Sequence, residues 1–158
     1  MKRIIKKIIG FFRPIYWPLV KIYFLILSPE TRGVKIIITN RGDVLFVKNS
    51  YGIKYNFPGG NLAKLEEPVV GAKREVKEEL GIDVNDLKFL GTIIPPIEFE
   101  YRKNTISIFK VEIPSRKINI NNFEIAEAKW LPISNPPSMG HVACQIFEFY
   151  KNHTSNTN

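Results

Sequence analysis

The sequence predicts an α/β fold in which helices flank a mixed β-sheet and a basic amphipathic helix precedes the sheet. β-branched apolar runs separated by turn residues predict the strands, and two segments with apolar side chains at helical spacing predict the flanking helices. Isoleucines at helical spacing between lysines predict the preceding helix. We expect an apolar, basic extension over residues 1–32, one compact domain over residues 33–152 and a polar tail over residues 153–158.

The first 27 residues are both apolar and basic. Arg13, Pro14, Pro18 and Lys21 interrupt the apolar run, which argues against a cleaved signal peptide and against a membrane-spanning helix. Two interpretations of residues 1–27 remain open. The segment packs against the domain or against a second subunit of a homo-oligomer, or it attaches peripherally to an anionic membrane surface.

The net charge of +8 lies almost entirely at the N-terminal end. Residues 1–35 contain eight Lys or Arg against one acid, a net charge of +7, whereas the other 123 residues contain 15 basic and 14 acidic side chains. We therefore expect no specific nucleic-acid binding by the domain. A single cysteine, Cys144, fits a reducing compartment, so we expect a cytoplasmic protein, with membrane-surface attachment through residues 1–27 as the alternative.

The remaining elements follow from residue 34 onward. The predicted strands are residues 34–39, 44–48, 87–94, 98–101, 105–113 and 126–131. The first two form a hairpin, because the residues between them tolerate unusual backbone angles. A helix is predicted over residues 68–80, with Glu67 as its cap, Pro68 in its first turn and Gly81 at its end. A closing helix is predicted over residues 139–151.

One face of the helix over residues 68–80 carries three glutamates. They are Glu75, Glu78 and Glu79. Like charges at this spacing repel one another, so the face is either a solvated surface balanced by neighbouring basic side chains or a site for a cation. The preceding Gly59-Gly60 pair and Glu66 favour the site. Oxygen ligands without His or Cys suit Mg²⁺, with Mn²⁺ as the alternative, and these ions suit phosphate substrates.

The same loop and helix resemble a known family signature. Gly60, five residues, Glu66, seven residues and then Arg74-Glu75-Val76-Lys77-Glu78-Glu79-Leu80-Gly81-Ile82 match the Nudix box, G-x5-E-x7-R-E-U-x-E-E-x-G-U with U aliphatic, at every fixed position. The chain looks like a MutT-like Nudix hydrolase over about residues 33–150. The resemblance implies an α/β/α sandwich around a mixed sheet and hydrolysis of a nucleoside diphosphate linked to another group. The alternative is a catalytically inactive nucleotide-binding or regulatory module of the same fold, which the complete set of box acids disfavours.

The resemblance also implies a role for each matched residue. The implied ligands of Mg²⁺ are Glu75, Glu78, Glu79 and the Gly59 carbonyl. Arg74 is implied to orient Glu75, and Gly60 and Glu66 are implied to support the loop.

A further ligand is implied a few residues before the strand that contains Trp130. Glu124 is the first candidate and Glu127 the second. A carboxylate must also accept the proton of the attacking water, for which Glu75 is the first choice and Glu124 the alternative. The sequence does not separate these two, because a general base is placed by geometry.

Three residues are candidates for contacts with the substrate, a nucleoside diphosphate derivative. Phe57 and Tyr101 could stack on a base, and Arg41 could meet a phosphate. Core packing of the two rings and solvation of the arginine are the alternative interpretations, and both stay open at this point.

Overall fold

The computed structural model describes residues 30–96 and 103–155 of the chain. Within these residues, six strands form one sheet and two helices pack on it. The strands are β1 (Thr31–Asn40), β2 (Asp43–Asn49), β3 (Tyr55–Asn56), β4 (Lys88–Ile93), β5 (Asn104–Glu112) and β6 (Ile125–Pro132). The helices are α1 (Pro68–Leu80) and α2 (His141–Ser155). The predicted α/β architecture is confirmed.

The sheet is mixed, as expected. Its strands run in the order β3-β2-β1-β5-β4, and β6 pairs with β2. β1 is parallel to β5, whereas the other pairs are antiparallel. β1 and β2 form the predicted hairpin, in which Arg41 (φ 51°) and Gly42 (φ 87°) occupy the turn with positive φ angles, the backbone geometry that matches the twist of a tight hairpin.

The hairpin opens soon after its turn, and this opening positions the site. β1 pairs with β2 only at Thr39 and Asn40. Further from the turn, the N–H groups of Ile36 and Val34 in β1 donate to the carbonyls of Pro58 and Gly60, both at 2.9 Å. The segment that contains the Gly59-Gly60 pair therefore lies along β1, where backbone hydrogen bonds hold it in place.

Each face of the sheet is covered by one helix. Ala72, Val76 and Leu80 of α1 pack with Val34, Ile36 and Ile38 of β1 in one core cluster. Ala143, Ile146, Phe147 and Tyr150 of α2 pack on the other face with Ile37, Phe46 and Phe57. α1 has the bounds that its sequence predicts: Pro68 opens it and Gly81 ends it in the left-handed conformation (φ 66°).

Three local predictions are wrong. Glu67 occupies the cap position of α1, but its side chain makes no capping hydrogen bond. α2 begins at His141 and not at residue 139, because Met139 forms a bridge with Tyr55. α2 also continues to Ser155 and does not end at residue 151 as predicted; the Thr154 hydroxyl donates to the Tyr150 carbonyl at 3.2 Å.

Other predictions fall outside the described residues: the helix and the attachment of residues 1–27, the strand over residues 98–101, and Tyr101. Neither helix in the described part of the chain has the length and apolar character that crossing a membrane requires.

Candidate functional site

An open cleft of about 900 Å³ lies where the hairpin opens beside α1. Three carboxylates line it: Glu75 and Glu79 from α1, and Glu124 from the loop before β6. Gly59 and Gly60 line the same cleft. The structure thus brings together five of the residues that the sequence singles out, from three separate segments.

The Gly59-Gly60 pair allows the loop to approach β1 and α1 closely. Gly59 has a φ of +119°, and a Cβ at this position would lie 2.3 Å from the Val34 carbonyl oxygen, so only glycine fits there. A Cβ at Gly60 would lie 2.8 Å from both carboxylate oxygens of Glu75. The absence of a side chain at Gly60 therefore leaves the room that the Glu75 carboxylate occupies.

Glu79 is the most buried acid of the cleft, with 5% of its surface exposed. Its carboxylate accepts the Gly59 N–H at 2.9 Å. Burial raises the pKa of Glu79 above its ordinary value, while the positive charge of Lys35 and the Gly59 N–H oppose this rise. The negative charges of Glu75 and Glu124 raise the same pKa further, so three acids interact across one cleft.

Lys35 is a cleft residue that sequence reasoning missed. Its ammonium donates to the carbonyls of Gly59 at 2.6 Å and Phe57 at 2.9 Å. The signal was present in the sequence, because Lys35 is the one charged residue inside the apolar run of residues 34–38. A lysine in such a run needs oxygen partners, and here it finds them in the glycine loop.

Arg74 is held among several acids. Its guanidinium binds Glu66 in a bidentate manner, with Nε to Oε1 at 2.8 Å and Nη2 to Oε2 at 3.0 Å. Nη1 donates to Glu75 at 2.8 Å and to Glu78 at 3.3 Å. The pKa of Arg74 is raised by these partners, so it stays charged. Arg74 therefore fixes the Glu75 carboxylate at the cleft wall.

Glu66 joins Arg74 to the loop. Besides Arg74, it accepts the Ala63 N–H at 2.8 Å. These two contacts lower the pKa of Glu66 to about 2, with the Arg74 hydrogen bonds as the larger cause. The Glu66 carboxylate thus joins the loop backbone at Ala63 to Arg74 of α1.

The two candidates before Trp130 differ sharply in their surroundings. Glu124 lines the cleft, and its carbonyl accepts the Ser50 N–H at 2.8 Å, which ties its loop to the end of β2. Glu127 contacts Lys48 and Lys129 on the sheet, and these two hydrogen bonds, Lys129 first, lower its pKa to about 2. Glu127 is therefore committed to an ion-pair cluster that does not line the cleft.

The remaining predicted residues are not gathered at the cleft. Phe57 is 1% exposed and packs between Phe46 and Phe147, so its ring serves the core and offers no face to a base. Arg41 is exposed at the hairpin turn and does not line the cleft. Glu78 is half exposed and contacts Arg74.

The mouth of the cleft is formed by the segment between β2 and β3, which no sequence motif singles out. Tyr51 and Ile53 are 68% and 89% exposed there. Asn49 donates its amide to the Tyr51 hydroxyl at 2.9 Å, and the Lys54 ammonium donates to Ser138 at 2.5 Å. An exposed ring beside amide and ammonium groups is chemically suited to a nucleotide, but the sequence alone does not distinguish it from an ordinary surface turn.

The donor set of the cleft suits a hard divalent cation. Over residues 30–96 and 103–155, no three acidic, histidine or cysteine side chains converge into a ready-made metal site. Arg74 holds Glu75, and Lys35 holds the Gly59 carbonyl. Carboxylate and carbonyl oxygens are nevertheless the ligands that Mg²⁺ prefers, so the residues fit such an ion once Lys35 releases the Gly59 carbonyl.

Comparisons with known proteins agree with this geometry. The NUDIX domain family model matches residues 29–144. An RNA pyrophosphohydrolase of Hydrogenovibrio crunogenus is 26% identical over 126 residues, 65% of this chain and 76% of the relative. An 8-oxo-dGTP diphosphatase of Proteus vulgaris is 38% identical over 65 residues, 41% of this chain and 56% of the relative.

A likeness of fold extends to solved structures. The crystal structure of a MutT protein from Methanosarcina mazei superposes with a TM-score of 0.69 at 20% identity, covering 83% of this chain and 98% of that one. Because the family model covers well over half of the sequence and the complete box lies on the loop and helix that wall the cleft, the protein belongs to the Nudix family of hydrolases.

Proposed function

We propose that the protein hydrolyses a diphosphate linkage in a nucleoside diphosphate derivative, using Mg²⁺ held in the cleft. One observation carries the proposal: Glu75 and Glu79 of α1 and Glu124 of the loop before β6 line a single cleft, which the Gly59 residue also lines. Such a concentration of carboxylates costs stability unless a cation binds there. Its presence beside an open, polar cleft is therefore best explained by a metal-dependent reaction.

The carboxylates and the Gly59 carbonyl would hold the metal. Glu78, half exposed at the Arg74 guanidinium, would join them when Arg74 releases it. When bound, Mg²⁺ neutralises charge on the diphosphate oxygens and favours ionisation of the water that attacks phosphorus in line. Mn²⁺ would serve in the same way.

The chain's own groups position the reaction. Arg74 fixes the orientation of Glu75 through the 2.8 Å hydrogen bond. Either Glu75 or Glu124 accepts the proton from the attacking water, and both line the cleft. Tyr51 offers an exposed ring at the cleft mouth for the nucleoside, a role that Phe57 does not fill because it is buried.

A hydrolysis screen tests the proposal. The full chain is incubated with Mg²⁺ and with nucleoside triphosphates, nucleotide sugars, ADP-ribose, dinucleoside polyphosphates and capped RNA, and the release of phosphate or nucleotide is followed. We expect turnover of one class that a chelator abolishes. Nucleotide binding without turnover of any substrate would instead favour the inactive binding module.

We also propose a cytoplasmic location, because the single Cys144 is unpaired and exposed. For residues 1–27, packing against the protein or a second copy and attachment to an anionic membrane both remain proposals. Co-sedimentation of the full chain with anionic and neutral vesicles separates them. Binding to anionic vesicles alone that weakens with salt indicates surface attachment, whereas no binding at low salt indicates packing.

A further inference from the structure

We propose that Lys35 is a built-in counter-cation of the metal site: in the metal-free protein its ammonium holds the Gly59 carbonyl and offsets the charge of Glu79, and it therefore competes with the divalent cation. This inference rests on the metal site of the proposed function. It assigns a positioning role to a residue outside the Nudix box, on β1.

Gly59 joins Lys35 to Glu79. Its carbonyl accepts from the Lys35 ammonium at 2.6 Å, and its N–H donates to Glu79 Oε2 at 2.9 Å. Strand alternation directs Lys35 toward the face of Ile37, which packs under α2, whereas Val76 and Leu80 beside Glu79 pack on the opposite face. The Lys35 ammonium, from one face of the sheet, and the Glu79 carboxylate, from the other face, therefore both form hydrogen bonds with Gly59.

The position of the ammonium explains how the buried acid is tolerated without metal. Glu79 is 5% exposed, and Glu75 and Glu124 add negative charge around it. An ionised carboxylate in such surroundings needs a compensating charge. Lys35 lines the same cleft as the three acids and supplies a single positive charge where a divalent cation would supply two.

The hydrogen bond from Lys35 to the Gly59 carbonyl should weaken metal binding. The Gly59 carbonyl cannot give its full lone-pair density to a metal ion while the ammonium lies 2.6 Å from it. The positive charge of Lys35 also repels a second cation in the cleft. Removing this charge should therefore destabilise the metal-free protein. It should also tighten the binding of the metal, because the metal-bound protein loses a repulsion.

The test measures binding of Mn²⁺ alone, without substrate, from the free-ion electron paramagnetic resonance signal, together with thermal unfolding with and without Mn²⁺. For Lys35→Met we expect a lower unfolding midpoint without metal, a larger rise on adding Mn²⁺, and a dissociation constant about ten-fold lower at low ionic strength. The ten-fold gap should shrink as salt is added.

Two variants frame the result. Lys35→Arg keeps the charge and should restore the wild-type dissociation constant to within about three-fold. Lys110→Met is the matched control: Lys110 is another half-buried strand lysine, but its ammonium lies over the Tyr150 ring, 5.6 Å from the centroid, and does not line the cleft. It should leave Mn²⁺ affinity within about two-fold of wild type.

An unchanged or weaker affinity in Lys35→Met, or an equal gain in Lys110→Met, would overturn the inference. If Lys35→Met does not fold, Lys35→Gln takes its place, since the amide keeps N–H donors without the charge, and the same tighter binding is required of it. If the wild type turns over substrate and binds Mn²⁺ while these variants match it, only this inference fails. A wild type that binds no Mn²⁺ overturns the proposed metal site and the inference together.

Discussion

Replacing Gly60 by alanine perturbs the Glu75 carboxylate while leaving its chemistry intact. Gly60 does not have a positive φ angle, so alanine is compatible with the backbone. Its Cβ would nevertheless lie 2.8 Å from both oxygens of Glu75, where ordinary contacts begin at 3.4 Å. The carboxylate must therefore move by about 0.6 Å, the difference between these two distances.

The size of the effect follows from that displacement. Glu75 is held by Arg74 at 2.8 Å and is 8% exposed, so it cannot move without losing its orientation. Displacements of this order in a catalytic group reduce turnover by about 10²-fold. Stability should change little, by about 1 kcal/mol, because the substitution also removes backbone entropy from the unfolded chain.

The assay compares kcat/KM for the best substrate of the hydrolysis screen with the thermal unfolding midpoint of each variant. Gly140→Ala is the matched control, because its Cβ meets nothing within 4 Å. It should keep wild-type activity. Gly59→Ala is not an equivalent test, since its strained φ and the Val34 carbonyl at 2.3 Å threaten folding itself. A Gly60→Ala protein with activity within about three-fold of wild type would refute the placement of Glu75 at the reaction.

The carboxylates and the N-terminal segment support four further predictions. Glu79→Gln should lose the stabilisation that Mg²⁺ gives to thermal unfolding without lowering the metal-free midpoint, because the amide still accepts the Gly59 N–H and the buried charge is gone; a retained Mg²⁺ effect would contradict this. Glu124→Gln should reduce kcat far more than Glu127→Gln, whose carboxylate is occupied by two lysines, and the reverse ranking would show that the loop is wrongly placed. The folded-state pKa values of Glu66 and Glu127 are lowered to about 2 from an ordinary 4.5, so they stabilise the protein above about pH 4.5 and this stability is lost as pH falls toward 2; circular dichroism melts should show the decline, and Glu127→Gln should flatten it. Deletion of residues 1–30 should leave kcat within a few-fold, since only Glu30 in that segment could offer a metal a carboxylate; a folded but inactive truncation would assign the segment to the site.

Local sequence patterns predict those helices and hairpins whose ends are fixed by the residues at those ends. Pro68 and Gly81 set both ends of α1 because each imposes a backbone geometry wherever it stands. The β1–β2 hairpin follows equally from its turn. β3 was not predicted because it is only two residues long and is defined by its pairing with β2. The start of α2 was misplaced because Met139 forms a bridge with Tyr55, 84 positions earlier in the sequence, and a pairing of that range leaves no local trace.

For the site, too, local spacing predicts some features and the fold decides the others. The helical spacing of Glu75, Glu78 and Glu79 is enough to place them on one face of a helix. The partner that each acid meets depends on the fold: Glu79 turns to the Gly59 N–H, whereas Glu78 stays half exposed beside Arg74. The contact of Lys35 with the glycine loop was not predicted, because strand alternation does not show which loop an inward-facing lysine will reach.

The aromatic residues show the limit of reading function from residue type. Phe57 and Tyr51 are both rings near the glycine loop in the sequence. Phe57 packs into the core, and Tyr51 stands 68% exposed at the cleft mouth. The difference arises from the opening of the hairpin, which turns the Phe57 side chain under α2 and which no local pattern predicts.

The Mg²⁺ dependence of hydrolysis, measured side by side for wild type and Glu79→Gln with the best substrate, shows whether the carboxylates of the cleft hold a catalytic metal ion. We expect wild-type turnover to rise to saturation with Mg²⁺, to stop when a chelator is added and to return when Mg²⁺ is restored, while folded Glu79→Gln shows turnover lower by about 10²-fold or more at the same Mg²⁺ concentration. Wild-type turnover that persists in chelator, or a Glu79→Gln curve that overlays the wild type, would contradict this expectation.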